Sequence, residues 1–349
     1  MELLEKLVLT AGIPGREQRI RDLILQETQG LFDSVRTDPM GSLICVRQPK
    51  GPAQGKTPLR VMLAAHMDQI GFMVRHVENS GFVRLQAVGG FDPRNLFARI
   101  VTVCPDVEDP GQDLPGVLNP SGRPIHIATE EDKKKIPELT DFVVDLGLPA
   151  DTVKKKVNIG DMVVLKAPFT RVGQTVVSQC LDNRVACWIQ IRALQKLKHH
   201  HCEITAVFTV QEEVGLRGAM TAAFEVKPDV GVALDTTLAV DTPGVPEDQR
   251  VSVSGGGAAI TYMDGATIAD PQLLATFEKI ARAKKIKYQR SILPRGGTDA
   301  GAIQRAAAGT RAMTLSCPTR YIHTVTEMVH ETDLNACRDL LAAYLEQAG

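Results

Sequence analysis

The strongest constraint on this chain is a rhythm. Four short, almost unbroken apolar runs, "RVMLAAH", "EITAVFTV", "VGVALD" and "TRAMTLSC", alternate with two longer segments of helical spacing, "NRVACWIQIRALQKLK" and "PQLLATFEKIARAKK". Runs of this length without polar alternation belong to strands covered on both faces. Strands of that kind joined through helices form βαβ units, so the chain is read as an α/β protein with a mixed, mostly parallel sheet flanked by helices. An opening helix over "REQRIRDLILQETQGLF" would present Ile20, Ile24, Leu25 and Leu31 as one stripe. A closing helix over "ETDLNACRDLLAAYLEQ" is expected to start from a Thr or Asp cap.

The rhythm breaks between residues 70 and 165. There "GFVRLQAV", "ARIVTVC", "DFVVDLG" and "DMVVLKAP" are separated by Gly, Pro and charged loops, the texture of an inserted, β-rich, barrel-like domain. The α/β domain then comprises 1–69 and 166–349. The piece "EEDKKKIPELTD" inside the insertion reads as a solvated loop or short helix.

Charge and composition exclude several partners. Lys+Arg 40 against Asp+Glu 41 leaves a net charge of -1, which gives no footprint for nucleic acid or an anionic membrane surface. No apolar run approaches the ~20 residues needed to cross a bilayer. The N-terminal "MELLEKLVLTAGIPGREQ" lacks the basic start and apolar core of a secretory signal, so a cytoplasmic location is expected. The seven cysteines are scattered with no Cys-x-x-Cys pair, which points to reduced thiols.

In open α/β sheets, sites form beyond the carboxyl ends of the strands. "RVMLAA" ends in His66 and Asp68, "EITAVFTV" in Glu212 and Glu213, and "VGVAL" in Asp235. "RAMTLSCP" leads into His323, and Asp182 stands just before a helix. Singly, each has a plain alternative: Asp182 as a helix N-cap, Asp235 as a turn residue, either histidine as a hydrogen-bonded structural residue. Together, carboxylates crowded at one sheet edge would repel one another unless a cation lay among them. Imidazole and carboxylate without thiolate suit zinc, cobalt or manganese better than calcium or magnesium, and the inventory fits a two-metal site with one bridging carboxylate. The adjacent pair Glu212–Glu213 is expected to divide its roles, because neighbouring strand side chains point opposite ways.

Two features are set aside. His199, His200 and His201 fall at a predicted helix end and are read as solvent-facing. "SGGGAA" lacks the spacing of a nucleotide-binding loop.

The segments "AAHMDQIGFMV", "CLDNRVACW", "TVQEEVGLRGA", "ALDTT", "RGGTDAGAIQ" and "PTRYIHTVTEMV" together resemble the glutamyl-aminopeptidase family of metallopeptidases, relatives of the tetrahedral (TET) aminopeptidases. The resemblance implies two divalent metal ions per subunit, zinc or cobalt. His66, Asp182 and Asp235 would surround one, and Asp182, Glu213 and His323 the other, with Asp182 bridging. It makes Glu212 the general base, Asp68 the partner that orients His66, and the Asp182–Asn183 peptide cis. It places Arg295, Gly297, Thr298 and Asp299 in the substrate wall and the insertion at a dimer interface. It further implies short peptides as substrates and dimers assembled into a tetrahedral dodecamer. The chain departs from the family pattern at Gln69, where Glu is usual, and at Asn183, where a second Asp is common, which bears on charge around the metals rather than on the ligands. An aminopeptidase is the leading reading. A deacylase or carboxypeptidase using the same chemistry, and a scaffold with a vestigial site, are the alternatives.

Overall fold

The computed structural model describes residues 1–50 and 57–349. An 11-stranded mixed sheet carries four parallel neighbours at its centre, in the order Glu203–Thr209, Arg60–His66, Val230–Leu238 and Arg311–Arg320. These are the four apolar runs. Val61, Leu63 and Ala65 enter a core beneath the Leu181–Lys196 and Glu331–Gln347 helices, while Met62 and Ala64 enter a second core on the opposite face. A strand buried on both faces has no reason to alternate, which is why the pattern was unbroken.

Sequence reading missed the outer parts. The antiparallel pair Ser34–Thr37 and Leu43–Arg47 extends one side. Glu327–His330, Thr175–Ser178 and Thr170–Val172 extend the other, and Tyr288–Ile292 forms a third margin. Most of these strands are short and half-polar, so their periodicity is weak, and the apolar, buried Leu43–Arg47 is only five residues long. A first helix, Glu2–Leu9, was also missed, and its Leu3, Leu4, Leu7 and Val8 are buried.

Two expected helix details are corrected. The second helix runs only from Gln18 to Glu27, and the chain turns at Gly30 (φ 74°), so Leu31 leaves the stripe that Ile20 and Ile24 bury. The closing helix is capped by neither Thr nor Asp: the His330 side chain accepts the Thr332 amide. The histidine run lies beyond the helix that ends at Lys196, and His200 is fully buried, its Nδ1 2.8 Å from the Cys202 carbonyl. Gly255 and Gly257 of the glycine triplet donate their amides to Asp333, a structural use of that loop. All seven cysteines are free and buried.

Six antiparallel strands between Gly71 and Leu165 close into a barrel around Phe72, Val74, Val101, Val103, Leu118 and Val163. The insertion is not purely β, since it also carries the helices Glu130–Lys134, with a Thr129 capping box, and Ala150–Lys156. Its root sits against the main domain. Ile13 packs with Cys104, Met162 and Val164 of the barrel wall, and Arg19 pairs with Asp113 on both oxygens.

Candidate active site

The barrel begins five residues after the His66 strand ends, so the insertion point and the chemistry share one rim of the sheet. His66 is the last residue of its strand, level with Thr209. Asp235 lies inside the Val230–Leu238 strand rather than at its end, a correction to the sequence reading. Asp182 enters at the start of the Leu181–Lys196 helix, where it and Asn183 have non-helical dihedrals and are joined by a cis peptide bond. The N-cap position falls on Cys180 and Asp182 Oδ1 has no hydrogen-bond partner, which removes the N-cap alternative.

Glu212 and Glu213 lie beyond their strand, which stops at Thr209. Their separation comes from a turn in which Gln211 takes φ +55°, not from strand pleat. Glu212 Oε2 lies 3.7 Å from His66 Nε2, whereas Glu213 Oε2 lies 3.4 Å from His323 Nε2. The neighbours thus face different histidines.

Asp182 stands between those histidines. Its Oδ1 is 3.5 Å from His66 Nε2 and its Oδ2 is 3.5 Å from His323 Nε2. Asp235 Oδ1 lies 3.8 Å from His66 Nε2. Two groups result, His66–Asp182–Asp235 and Asp182–Glu213–His323, each with ligand atoms within 4.8 Å of one another. Asp182 Oδ1 and Glu213 Oε1 are buried with no hydrogen-bond partner. Buried polar atoms are normally satisfied, so two orphaned oxygens on carboxylates that each belong to a histidine–carboxylate group fit a cation. The donor set fits a borderline metal.

Electrostatics point the same way. Burial raises the Glu212 carboxyl well above its ordinary value, with Asp235, Asp299 and Glu213 adding repulsion, and burial likewise raises Glu213 and Asp235. Burial alone would lower His66, but Glu212 and Asp182 outweigh it and hold the imidazole well above its usual range. His323 is pushed up to about 11 against the same burial, by Asp182 and Glu213. A divalent cation inverts this protonation pattern by holding the carboxylates ionised and the imidazoles neutral.

Asp68 is fully buried and meets both His66 and the glutamate turn. His66 Nδ1 is 3.1 Å from the Asp68 carbonyl and 3.6 Å from its carboxylate, while that carboxylate accepts the amides of Glu212 and Glu213. Two further buried acids were not singled out from sequence. Glu327 accepts the amides of Asp182 and His323, and Glu17 accepts the amide of Gln211. An acid that receives backbone amides leaves no spacing signature. The four-residue step from His323 to Glu327 was the one available hint.

A cavity of about 650 Å³ opens over the cluster. Arg295, Gly297 and Thr298 line it together with Leu216, Leu238 and Leu293. Asp299 does not. It lies buried behind the wall, accepting from Thr209 Oγ1 at 2.5 Å. Among the described residues no helix is long and apolar enough to cross a membrane.

A sheet, barrel and histidine–carboxylate cluster of this kind occur together in a family of peptide hydrolases that take residues from the chain end. The chain belongs to the M42 glutamyl aminopeptidase family, whose model matches residues 41–340. It is 36% identical over 342 residues to a putative aminopeptidase of Acetivibrio thermocellus, covering 97% of this chain and 96% of that one. An aminopeptidase from the archaeon Desulfurococcus kamchatkensis superposes with a TM-score of 0.92 at 34% identity, covering 99% of this chain and 94% of that one. The TET1 peptidase of Pyrococcus horikoshii, which assembles into a tetrahedron or a large octahedral shell, superposes at 0.85 with 29% identity, covering 99% and 98%.

Proposed function

We propose that the protein is a two-metal aminopeptidase that removes the N-terminal residue from short peptides, with zinc or cobalt held by His66, Asp182 and Asp235 on one side and by Asp182, Glu213 and His323 on the other. The observation that carries this reading is the placement of Asp182 with one oxygen toward each histidine. Bound divalent cations supply Lewis-acid polarisation of the scissile carbonyl and acidify water. Glu212 belongs to neither ligand group, so its carboxylate is free to take a proton from the attacking water and pass it to the departing amine. Asp68 fixes the glutamate turn and His66 together. The peptide's N-terminal residue occupies the cavity, whose leucines accept aliphatic side chains and whose exposed Arg295 attracts acidic ones.

By analogy with the shells of its archaeal neighbour, the chain forms dimers through the barrel domain and closes into a tetrahedral dodecamer in the cytoplasm. Enclosure restricts substrates to short or unfolded peptides. The test is a panel of aminoacyl-p-nitroanilides assayed with zinc, cobalt and manganese beside N-acylated and C-terminal substrates, with light scattering on the metal-loaded protein. Turnover confined to N-acylated or C-terminal substrates would refute the aminopeptidase reading, and a monomer or dimer in solution would refute the shell.

A further inference from the structure

Three consecutive amides, those of Gln211, Glu212 and Glu213, all donate to buried carboxylates from the first part of the chain. Gln211 N lies 3.2 Å from Glu17 Oε1, Glu212 N lies 3.1 Å from Asp68 Oδ1, and Glu213 N lies 3.2 Å from Asp68 Oδ2. Glu17 is 4% exposed and occupies the N-cap position of the Gln18–Glu27 helix. A short acid such as Asp at that position ordinarily accepts the helix's own first amides. Glu17 makes no such bond. Its Oε1 turns back to the Gly15 amide at 2.8 Å and across to Gln211.

The loop that delivers Glu17 is itself anchored. Buried Arg184 donates to the carbonyls of Leu7 and Thr10, the Gln69 amide donates to Gly12, and Ile13 is wedged against the barrel wall. On the same peptide group as the Gln211 amide, the Val210 carbonyl accepts from Gly218, where a Cβ would meet that oxygen at 2.5 Å, and on the far side the carbonyl of Gln211 itself accepts the Arg217 amide. Gln211 is thus a left-handed residue clamped from both ends, and such a conformation in a residue with a side chain persists only where its surroundings over-determine it.

We propose that Glu17 is a positioning residue of the reaction, fixing through the Gln211 amide the turn that aims the Glu212 carboxylate at the attacking water. The inference rests on Glu212 being the base. Glu17 touches no reacting atom, and what it supplies is an acceptor oxygen at a fixed point. Burial and then the nearby Asp68 push the Glu17 carboxyl up to about 7, which agrees with a role that asks for an acceptor rather than a full charge.

The test uses the full-length, metal-loaded protein, an aminoacyl-p-nitroanilide, elemental analysis and thermal unfolding. Glu17→Ala removes the acceptor and is expected to lower kcat at least ~10-fold with KM within about twofold and both metals retained, because small displacements of a catalytic group are costly. Glu17→Gln keeps an acceptor oxygen and is expected to restore kcat to within about threefold of the parent. Glu17→Met fills the volume without an acceptor and substitutes for the alanine variant if that one does not fold. If Glu17→Ala and Glu17→Met turn over like the parent while Glu212→Gln is inactive, this inference is overturned and the base assignment stands. If Glu17→Gln falls as far as Glu17→Ala, with lost metal or a lowered unfolding temperature, Glu17 is a structural residue and the inference is again overturned. If Glu212→Gln itself retains turnover, the base assignment fails first.

Discussion

Glu327 holds His323 by its backbone: Oε1 accepts the His323 amide at 2.7 Å, at a residue whose φ is +64°. The other oxygen accepts the Asp182 amide at 2.9 Å, so one buried carboxylate ties together two segments that carry proposed ligands. Glu327→Gln replaces one acceptor by an NH₂ that cannot receive an amide. The variant is expected to lose about 1–3 kcal/mol of stability and to release metal at lower chelator concentration than the parent. Unfolding curves and elemental analysis along a chelator titration check both, and parental metal retention would remove the positioning role.

Glu212 and Glu213 are expected to fail differently. Glu212→Gln keeps shape and both metals, but its chemical rate falls by at least ~10²-fold, the low end for a positioned acid–base group. Glu213→Gln removes a proposed charged ligand and is expected to lose or weaken one metal, with metal-dependent stability falling too. Metal stoichiometry beside kinetics separates them. Loss of metal in the first variant and retention in the second reverses the assignment.

Removing the metals is expected to destabilise the fold as well as abolish turnover, because Asp182, Glu212, Glu213 and Asp235 then crowd one buried site with only the imidazoles of His66 and His323 to offset them. Calorimetry before and after chelation should show a lowered unfolding temperature. Zinc, cobalt or manganese should restore it and magnesium should not. An unfolding temperature indifferent to chelation rules out a metal-braced site.

Arg295 is exposed at the cavity mouth. Arg295→Ala is expected to lower turnover of Glu and Asp substrates relative to Leu substrates, since guanidinium pairs with carboxylate in a bidentate fork. Equal acidic-to-aliphatic ratios in parent and variant would make it an ordinary solvated side chain.

Away from the site, Glu278 gives the acid-stability prediction. Arg290, which bonds both its oxygens, together with Tyr262 and Arg282, overcomes the effect of burial and lowers its carboxyl from 4.5 to about 2. A carboxyl that ionises more readily in the folded state contributes stability above its unfolded value and loses it as pH falls. The contribution is therefore complete at neutral pH and disappears between about 4.5 and about 2. Glu278→Gln should unfold at a lower temperature than the parent at pH 7, with the gap closing across that window. A gap that persists unchanged below it would mean packing rather than ionisation is responsible.

What was legible in the sequence follows from what leaves a pattern. The central strands are apolar on both faces, so four unbroken apolar runs announced them, and His66, Glu212 and Glu213 could be found by looking at or just past their ends. Asp235 was found by the same rule although its strand continues to Leu238. The edge strands carry little apolar surface and went unread. Glu17 and the second use of Asp68 were invisible, and Glu327 nearly so, because an acid that accepts backbone amides needs only proximity in space. His200 shows the opposite error, since a polar residue type suggested solvent where the fold buries it beside Cys202.

Those unread margins have a consequence of their own. The barrel closes on itself, and the main sheet is bounded by Ser34–Thr37, Thr170–Val172 and Tyr288–Ile292, each of five residues or fewer. Every one of the three carries an ion-paired arginine: Arg36 with Glu225, Arg171 with Glu331, and Arg290 with Glu278. Short, charged borders are poor templates for a foreign strand. Crowded copies of this protein are thereby discouraged from zipping into fibrils, which leaves side-chain surfaces as the routes by which one copy meets another.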